Sequence, residues 1–222
     1  PGPAVDLLTR DPSALALGGE EQEATVLFAD IRDFTRMSEN LAPGAVVRLL
    51  NEYFAEMVDE IFRHDCILDK FIGDGICAVF GRPLAEADQA RRALECASGM
   101  LTRLERLNAT RTARGELALR IGIGVHTGRL VAGNIGSHRR LNYSVIGDGV
   151  NVASRLESLT RTVAYRTNIV TSAATVAACR RTSSPPSGLL SPDSSLLIPT
   201  FRPLGPVRVK GRAEPVEIFA VG

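Results

Sequence analysis

Two aspartates occupy positions where carboxylates could hold a divalent metal ion. Asp30 follows the apolar run 24–29, which is typical of a buried strand, and Asp74 lies in the Gly-Asp-Gly centre of residues 73–75 between two short apolar runs. Two such runs around this centre predict a β-hairpin. Carboxylates at the end of one strand and at a neighbouring hairpin tip can converge, and hard divalent cations prefer oxygen ligands. The pair therefore predicts a metal site, although each aspartate alone also fits a turn or a cap.

A second candidate pair lies on a predicted helix. Asn151 and Arg155 are four positions apart and follow the Gly-Asp-Gly sequence 147–149, so they share one helix face. An amide beside a guanidinium can bind a ribose and a phosphate, and the same spacing also describes an ordinary solvated face.

Two lysines are candidates for nucleotide contacts. Lys70 lies in the first strand of the predicted hairpin, and Lys210 precedes Gly211. Each could contact a nucleotide or could extend from a sheet edge into solvent. Their positions alone leave both interpretations open.

Other nucleotide and metal motifs are absent from the sequence. None of the three histidines has a partner at the spacing of metal ligands, so His126 is interpreted as structural. The chain lacks GxxxxGK[ST], and residues 122–128 miss the third glycine of GxGxxG. These absences exclude a P-loop and a Rossmann site.

The elements that position these residues follow from hydrophobic periodicity. The first half of the chain predicts a strand over 24–29, a loop over 31–43, a helix over 46–61, hairpin strands over 66–72 and 76–80, and a helix over 84–107. The second half predicts a strand pair over 117–126 and 129–135 with a turn at Thr127-Gly128, a helix over 147–158, a strand over 168–171, a helix over 172–180, and closing strands at 201, 207–210 and 216–219. This order predicts an α+β fold with a ferredoxin-like βαββαβ core, palm-like, with extra C-terminal strands and helices.

Two local features complete this prediction. The glycines of the strand pair predict close approach of another backbone, and the composition of residues 182–199 predicts an exposed loop excursion.

Composition and charge exclude several classes of protein. The 222 residues are 45% apolar and carry 26 basic against 25 acidic side chains, which is ordinary for one globular domain and gives no footprint for nucleic acid. No apolar run reaches the length that crosses a bilayer. The four cysteines match no metal or disulfide spacing, so we expect reduced core thiols.

The sequence also predicts a domain boundary. We interpret residues 1–22 as a linker from a longer protein and residues 23–222 as the folded domain.

These motifs, taken together, resemble the catalytic domain of the class III nucleotidyl cyclases, the adenylyl and guanylyl cyclase family, and most closely the bacterial adenylyl cyclases. The resemblance covers about residues 23–221 of the chain and rests on several motifs in order. They are residues 25–35 (TVLFADIRDFT), 69–75 (DKFIGDG), 126–128 (HTG) with 133–136 (GNIG), 145–157 (VIGDGVNVASRLE) and 209–211 (VKG).

The resemblance implies roles for particular residues. It implies that Asp30 and Asp74 hold two Mg²⁺ or Mn²⁺ ions, with the Ile31 carbonyl as a further ligand. It also implies that other side chains serve the ribose, phosphates and base of ATP, namely Asn151, Arg155, Lys70, Ser144 and Lys210.

The resemblance also bears on the choice of base. Lys70 lies where adenylyl cyclases place the lysine that reads adenine, whereas guanylyl cyclases typically carry glutamate there. An ammonium group can donate to N1 of adenine but faces a donor in guanine, so ATP is favoured. Ser144 stands where the family often has aspartate or threonine, which keeps a hydroxyl but weakens the argument on base selectivity.

The implied reaction is attack of the ribose 3′ oxygen on the α-phosphorus of ATP, which gives 3′,5′-cyclic AMP and pyrophosphate. Because the family forms its sites between two subunits, the resemblance implies a symmetric homodimer with two shared sites. The alternatives are a guanylyl cyclase, a non-catalytic dimerising or nucleotide-sensing domain, and a palm-type polymerase, which would need a basic template channel. The linker indicates an upstream sensory or membrane module, and we expect the domain itself to be cytoplasmic.

Overall fold

One sheet and the helices on its two faces position the candidate residues. The computed structural model describes residues 18–81, 87–137, 140–182, 199–209, 212 and 214–222, apart from the side chains at 18, 136, 140–143 and 182. The strands are β1 (Gly18–Ile31), β2 (Ile67–Ile72), β3 (Gly75–Phe80), β4 (Ile121–Ser137), β5 (Arg140–Ile146), β6 (Ile169–Ser172), β7 (Phe201–Val207) and β8 (Val216–Val221). The helices are α1 (Phe34–Ser38), α2 (Pro43–Arg63), α3 (Gln89–Ala113), α4 (Asp148–Leu159) and α5 (Ala173–Thr182), with a 3₁₀ turn over Val163–Tyr165.

The strands form a mixed sheet in the order β2-β3-β1-β4-β6-β8-β7, and β5 pairs with β4 outside this path. All of these pairs are antiparallel except β4 with β6. The sequence β1, α2, β2, β3, α3, β4 is the predicted ferredoxin-like order, with the remaining elements added after it. The predicted fold class is therefore confirmed.

Alternation along β1 decides which way Asp30 faces. Leu27, Ala29 and Ile31 belong to the core under α2 and α3, whereas Ala24 and Val26 belong to a second cluster that includes Ala153 of α4. Since successive side chains of a strand point to opposite faces, Asp30 lies on the α4 face of the sheet. β1 thus ends with a carboxylate on the less heavily covered side.

The predicted strand pair with a turn at Thr127-Gly128 is wrong. β4 runs through both residues without interruption, because β1 pairs with it in continuous register from Gly18 to Ile31. Thr127 faces Thr25, and their hydroxyl oxygens are 2.8 Å apart in a buried hydrogen bond. The threonine-glycine dipeptide is therefore accommodated as strand interior by its partner strand. Residues 18–22, which the sequence placed in the linker, belong to this same ladder.

Several smaller expectations differ from the structure. The predicted loop 31–43 contains α1, and β5 was not predicted. α3 begins at Gln89 and continues to Ala113, beyond the predicted end at residue 107, and residues 84–86 of the predicted helix lie outside the described residues. The last strands are β7 and β8, and residues 208–209 are not strand. The predicted excursion falls almost wholly on residues 183–198, which lie outside the described residues.

The expectation of reduced core thiols is confirmed. All four cysteines are buried and free. Within the described residues, no helix combines the length and the apolar character that a membrane span requires.

Candidate functional site

The structure brings Asp30 and Asp74 together at one end of the sheet. β3 pairs with β1 so that Ala29 faces Ile76, which places the β2–β3 turn beside the end of β1. The backbone N–H of Ile31 donates to Oδ2 of Asp74 over 3.2 Å. The residue with a positive φ in this turn is Gly73, at 63°. Asp74 has no positive φ, so a role as the left-handed residue of the turn does not explain it.

The carboxylate of Asp30 disfavours negative charge on Asp74. Burial, and then the neighbouring carboxyl of Asp30, raise the pKa of Asp74 to about 7. The fully buried Tyr53 lies near the pair, and its hydroxyl has no hydrogen-bond partner among the described residues. Burial, followed by the charges of Asp30 and Asp74, raises the pKa of this hydroxyl. The end of β1 is thus a partly desolvated site with excess negative charge.

Close packing of α4 on β4 brings two more charged groups to the pair. A Cβ added at Gly124 would lie 2.2 Å from the carbonyl oxygen of Ala153, and one at Gly122 would lie 2.7 Å from Oε1 of Glu157. The predicted close backbone approach is therefore confirmed. Because α4 comes this near, Arg161 just beyond it donates from Nη2 to Oδ2 of Asp30 over 2.8 Å.

Glu157 makes the stability of the folded domain depend on pH. Burial, and then the charge of Asp30, raise the pKa of Glu157 to about 7 from an ordinary value of 4.5. A carboxyl whose pKa is higher in the folded state favours folding fully below its unfolded pKa and loses this contribution as the pH rises through the folded pKa. The metal-free domain should therefore lose stability from this group between about pH 4.5 and 7.

We predict that Glu157→Gln removes this part of the pH dependence. Thermal melts of both proteins without metal, from pH 5 to pH 8, should show a steeper fall in Tm for the wild type than for the variant. Asp74 is present in both proteins, so its own titration largely cancels in the comparison. Parallel Tm profiles would contradict the predicted cost of burying Glu157.

A second pair of predicted residues meets within the same chain. Lys70 donates from Nζ to Oγ of Ser144 over 2.8 Å, and Ser144 is buried. β2 and β5 are not neighbours in the sheet, so this contact requires the β4–β5 ribbon to curl over the face of β3 that carries Cys77. The structure therefore joins the two residues assigned to the base of ATP.

The structure does not bring Asn151 and Arg155 to the carboxylate pair. Both are exposed on α4, while Val152 and Leu156 form its buried side. Among the described residues, no hydrogen bond or ion pair joins either of them to Asp30 or Asp74. Their side chains thus lie on the opposite side of α4 from the sheet.

Lys210 lies outside the described residues. The residues on either side of it contact α4: Val209 is buried in a cluster with Val152 and Leu156, and Arg212 forms an ion pair with Asp148.

A cavity of about 470 Å³ lies at the same end of the sheet, and four of its ten lining residues are arginines. They are Arg32, Arg120, Arg161 and Arg166, with Asp33 as the acidic member of the lining. Burial, together with the positive charges of Arg120 and Arg161, lowers the pKa of Arg32. The positive charges of these guanidinium groups repel one another. A bound polyanion would offset this repulsion by pairing with them.

The donor set at the carboxylate pair suits a hard divalent cation. The described residues contain no cluster of three or more histidine, cysteine or acidic side chains with metal-ligand geometry. Mg²⁺ is usually held by one or two carboxylates together with backbone, water and substrate phosphate oxygens. Asp30 and Asp74 meet that requirement, and a cation would offset the repulsion that raises the pKa of Asp74.

Comparison with known proteins decides the family. The sequence model described as "Adenylate and Guanylate cyclase catalytic domain" matches residues 19–217. The chain belongs to this family. Cyclases of this family generally use divalent metal ions.

Relatives and solved structures agree with this assignment. Adenylate cyclase 1 of Rhizobium meliloti is 37% identical over 200 residues, which are 90% of this chain and 27% of that protein. The adenylyl cyclase CyaB from P. aeruginosa is 31% identical with a TM-score of 0.78, covering 93% and 96% of the two chains. The guanylyl cyclase Cya2 is 37% identical with a TM-score of 0.75, covering 92% and 94%. The chain thus spans about a quarter of the first curated relative's length.

Sequence reasoning missed two charged residues beside the carboxylate pair. Arg161 contacts Asp30 and Glu157 lies near it, and the four-residue spacing of this opposite-charge pair at the end of α4 was the available signal. The structural interpretation of His126 agrees with the fold, since it is buried and its Nδ1 lies 2.8 Å from Oγ of Ser172. Burial lowers the pKa of His126 to about 4.

Proposed function

We propose that this domain is an adenylate cyclase, which converts ATP to 3′,5′-cyclic AMP and pyrophosphate. The observation that carries the proposal is that one chain holds both a carboxylate pair, Asp30 with Asp74, and an assembled base-reading pair, Lys70 with Ser144. The names of the relatives from Rhizobium meliloti and P. aeruginosa favour the same activity.

The proposed metal site uses both carboxylates. Asp30 and Asp74, with the Ile31 carbonyl, would hold two Mg²⁺ or Mn²⁺ ions. Bound there, divalent ions lower the pKa of a 3′ hydroxyl and neutralise charge on the triphosphate. The arginine-lined cavity beside Arg161 supports a polyanionic substrate at this end of the sheet.

The chain's own residues would orient the reactants. Lys70 donates to N1 of adenine, Asn151 holds the ribose, and Arg155 with Lys210 binds the phosphates. The 3′ hydroxyl loses its proton to solvent as its oxygen forms a bond to the α-phosphorus. The bond from the α-phosphorus to the bridging oxygen breaks and releases pyrophosphate, and Arg155 stabilises the charge that develops on the transferring group. A histidine base is not required, in keeping with the structural role of the buried His126.

The exposure of Asn151 and Arg155 supports a site shared between two subunits. Both side chains point away from the sheet that carries Asp30, so they are placed to serve a second copy of the chain. One chain would supply Asp30 and Asp74, and its partner would supply the nucleotide-binding residues. A two-fold homodimer then has two such sites. In the full-length protein, an upstream module would regulate the dimer.

The test is cyclic nucleotide production by the purified domain, with ATP or GTP, in Mn²⁺ and in Mg²⁺, across a range of protein concentrations. We expect cyclic AMP as the main product, with a specific activity that rises with protein concentration, because the site is complete only in the dimer. GTP turnover faster than ATP turnover would favour a guanylyl cyclase, as in the similar Cya2. A demonstrably dimeric domain with no product from either nucleotide would favour a non-catalytic module.

A further inference from the structure

The strand that carries Lys70 is irregular immediately before it. In the pairing of β2 with β3, Leu68 faces Ala78 and Lys70 faces Cys77, so the register shifts and Asp69 has no cross-strand partner of its own. This is a β-bulge, in which two residues of one strand oppose one residue of the other. Bulges bend a strand locally and redirect the side chains next to them.

The bulge has a direct consequence for Asp69 and Lys70. In a regular strand their side chains would point to opposite faces. Here Oδ2 of Asp69 lies 3.2 Å from Nζ of Lys70, while the same Nζ donates to Oγ of Ser144 over 2.8 Å. An ammonium group has three donors. One of them is donated to Ser144, the ammonium charge also lies beside Asp69, and a donor remains for a ligand.

The surroundings of Asp69 make Lys70 its significant charge partner. Its side chain is 2% exposed, and neither carboxylate oxygen accepts a well-formed hydrogen bond from the described residues. A buried carboxylate without a partner is costly, so the adjacent ammonium compensates its charge. The charge of Asp69 also acts on the neighbouring Cys77: burial, and then this negative charge, raise the pKa of the Cys77 thiol.

We propose that Asp69 is a positioning residue for base selection, which acts by holding the Lys70 ammonium against Ser144 so that its remaining donor meets the N1 acceptor of adenine. This inference rests on the proposed function and extends it to a residue that does not itself touch the nucleotide. Guanine presents an N1–H donor at that position, so the same arrangement disfavours GTP.

The experiment measures equilibrium binding of ATP and of 1-deaza-ATP, which has a C–H in place of N1, to the wild type and to Asp69→Asn. The substitution keeps the size of the side chain and removes its charge. We expect ATP binding to weaken by about tenfold, as suits the loss of one charge-assisted contact acting through Lys70, while binding of 1-deaza-ATP stays unchanged. In a Lys70→Ala background, Asp69→Asn should have no further effect on ATP binding.

Two controls separate a positioning role from a structural one. Asp88→Asn removes another ion-paired aspartate, 2.7 Å from Arg91 and away from the site, and should leave both affinities as in the wild type. Asp69→Ala provides a second variant without the carboxylate in case the asparagine variant folds poorly. Thermal melts of each variant check the fold.

The outcomes distinguish this inference from the proposed function. Equal weakening for ATP and 1-deaza-ATP, or no weakening for either, would overturn the role of Asp69, while ATP binding and cyclic AMP formation by the wild type would leave the proposed function standing. A wild type that binds no adenine nucleotide would overturn both. Selective weakening of ATP that disappears in the Lys70→Ala background would establish that Asp69 acts through Lys70.

Discussion

Asp30→Asn should reduce cyclic AMP formation by about a thousandfold or more, because metal-bound charge stabilisation is worth several kcal/mol and each 1.36 kcal/mol is a factor of ten in rate. The substitution keeps the shape of this side chain near the end of β1 and removes the charge that faces Asp74. It should also weaken Mn²⁺ binding and abolish the rise in Tm that Mn²⁺ gives the wild type, since a ligand that binds only the folded state stabilises it. Activity assays, Mn²⁺ binding and thermal melts with and without Mn²⁺ measure these effects.

A suitable control for this prediction is Asp59→Asn. Asp59 is an exposed aspartate on α2, 3.8 Å from Arg103, and an exposed ion pair of this kind contributes little to stability. The control should match the wild type in activity and in its response to Mn²⁺. An Asp30→Asn protein that retains activity near the wild-type level would exclude a metal role for this carboxylate.

The parts of the site that could be predicted from the sequence depend on local patterns. The apolar run before Asp30 forms the buried part of β1, and the Gly-Asp-Gly centre at 73–75 marks the tight turn between β2 and β3. Helical spacing predicted that Asn151 and Arg155 share one face of a helix. The burial of Val152 and Leu156 on the other side of α4 agrees with this prediction. Each of these features is decided within a few residues of chain.

The features that escaped prediction depend on partners distant in sequence. Thr127-Gly128 reads as a turn, and only pairing with β1 keeps it extended. The bulge at Asp69 depends on how β2 aligns with β3, since a shift of one residue changes the face on which a side chain lies. The contact of Arg161 with Asp30 joins residues that are 131 positions apart. Sequence patterns therefore located the carboxylates, and tertiary packing determined their electrostatic surroundings.

If the site is shared between subunits, mixing two inactive variants should restore cyclase activity. Asp30→Asn removes a metal ligand, and Arg155→Ala removes a phosphate-binding residue that a partner chain would supply. In an equal mixture with free exchange, about half of the dimers are mixed, and one of their two sites contains neither substitution. The mixture should therefore recover about a quarter of the wild-type specific activity, since two-fold symmetry makes the two sites equivalent. Cyclic AMP assays before and after mixing measure this recovery.

The matched control is a mixture of Asp30→Asn with Asp74→Asn. These two carboxylates lie together in one chain, where the Ile31 N–H binds Asp74. Every site of a mixed dimer then lacks one carboxylate, so this mixture should stay inactive. Recovery in the first mixture alone assigns the carboxylates to one subunit and Arg155 to the other. Failure of the first mixture, in a sample shown to contain mixed dimers, would instead place all of these residues in a site built by a single chain, which the exposed position of Arg155 on α4 opposes.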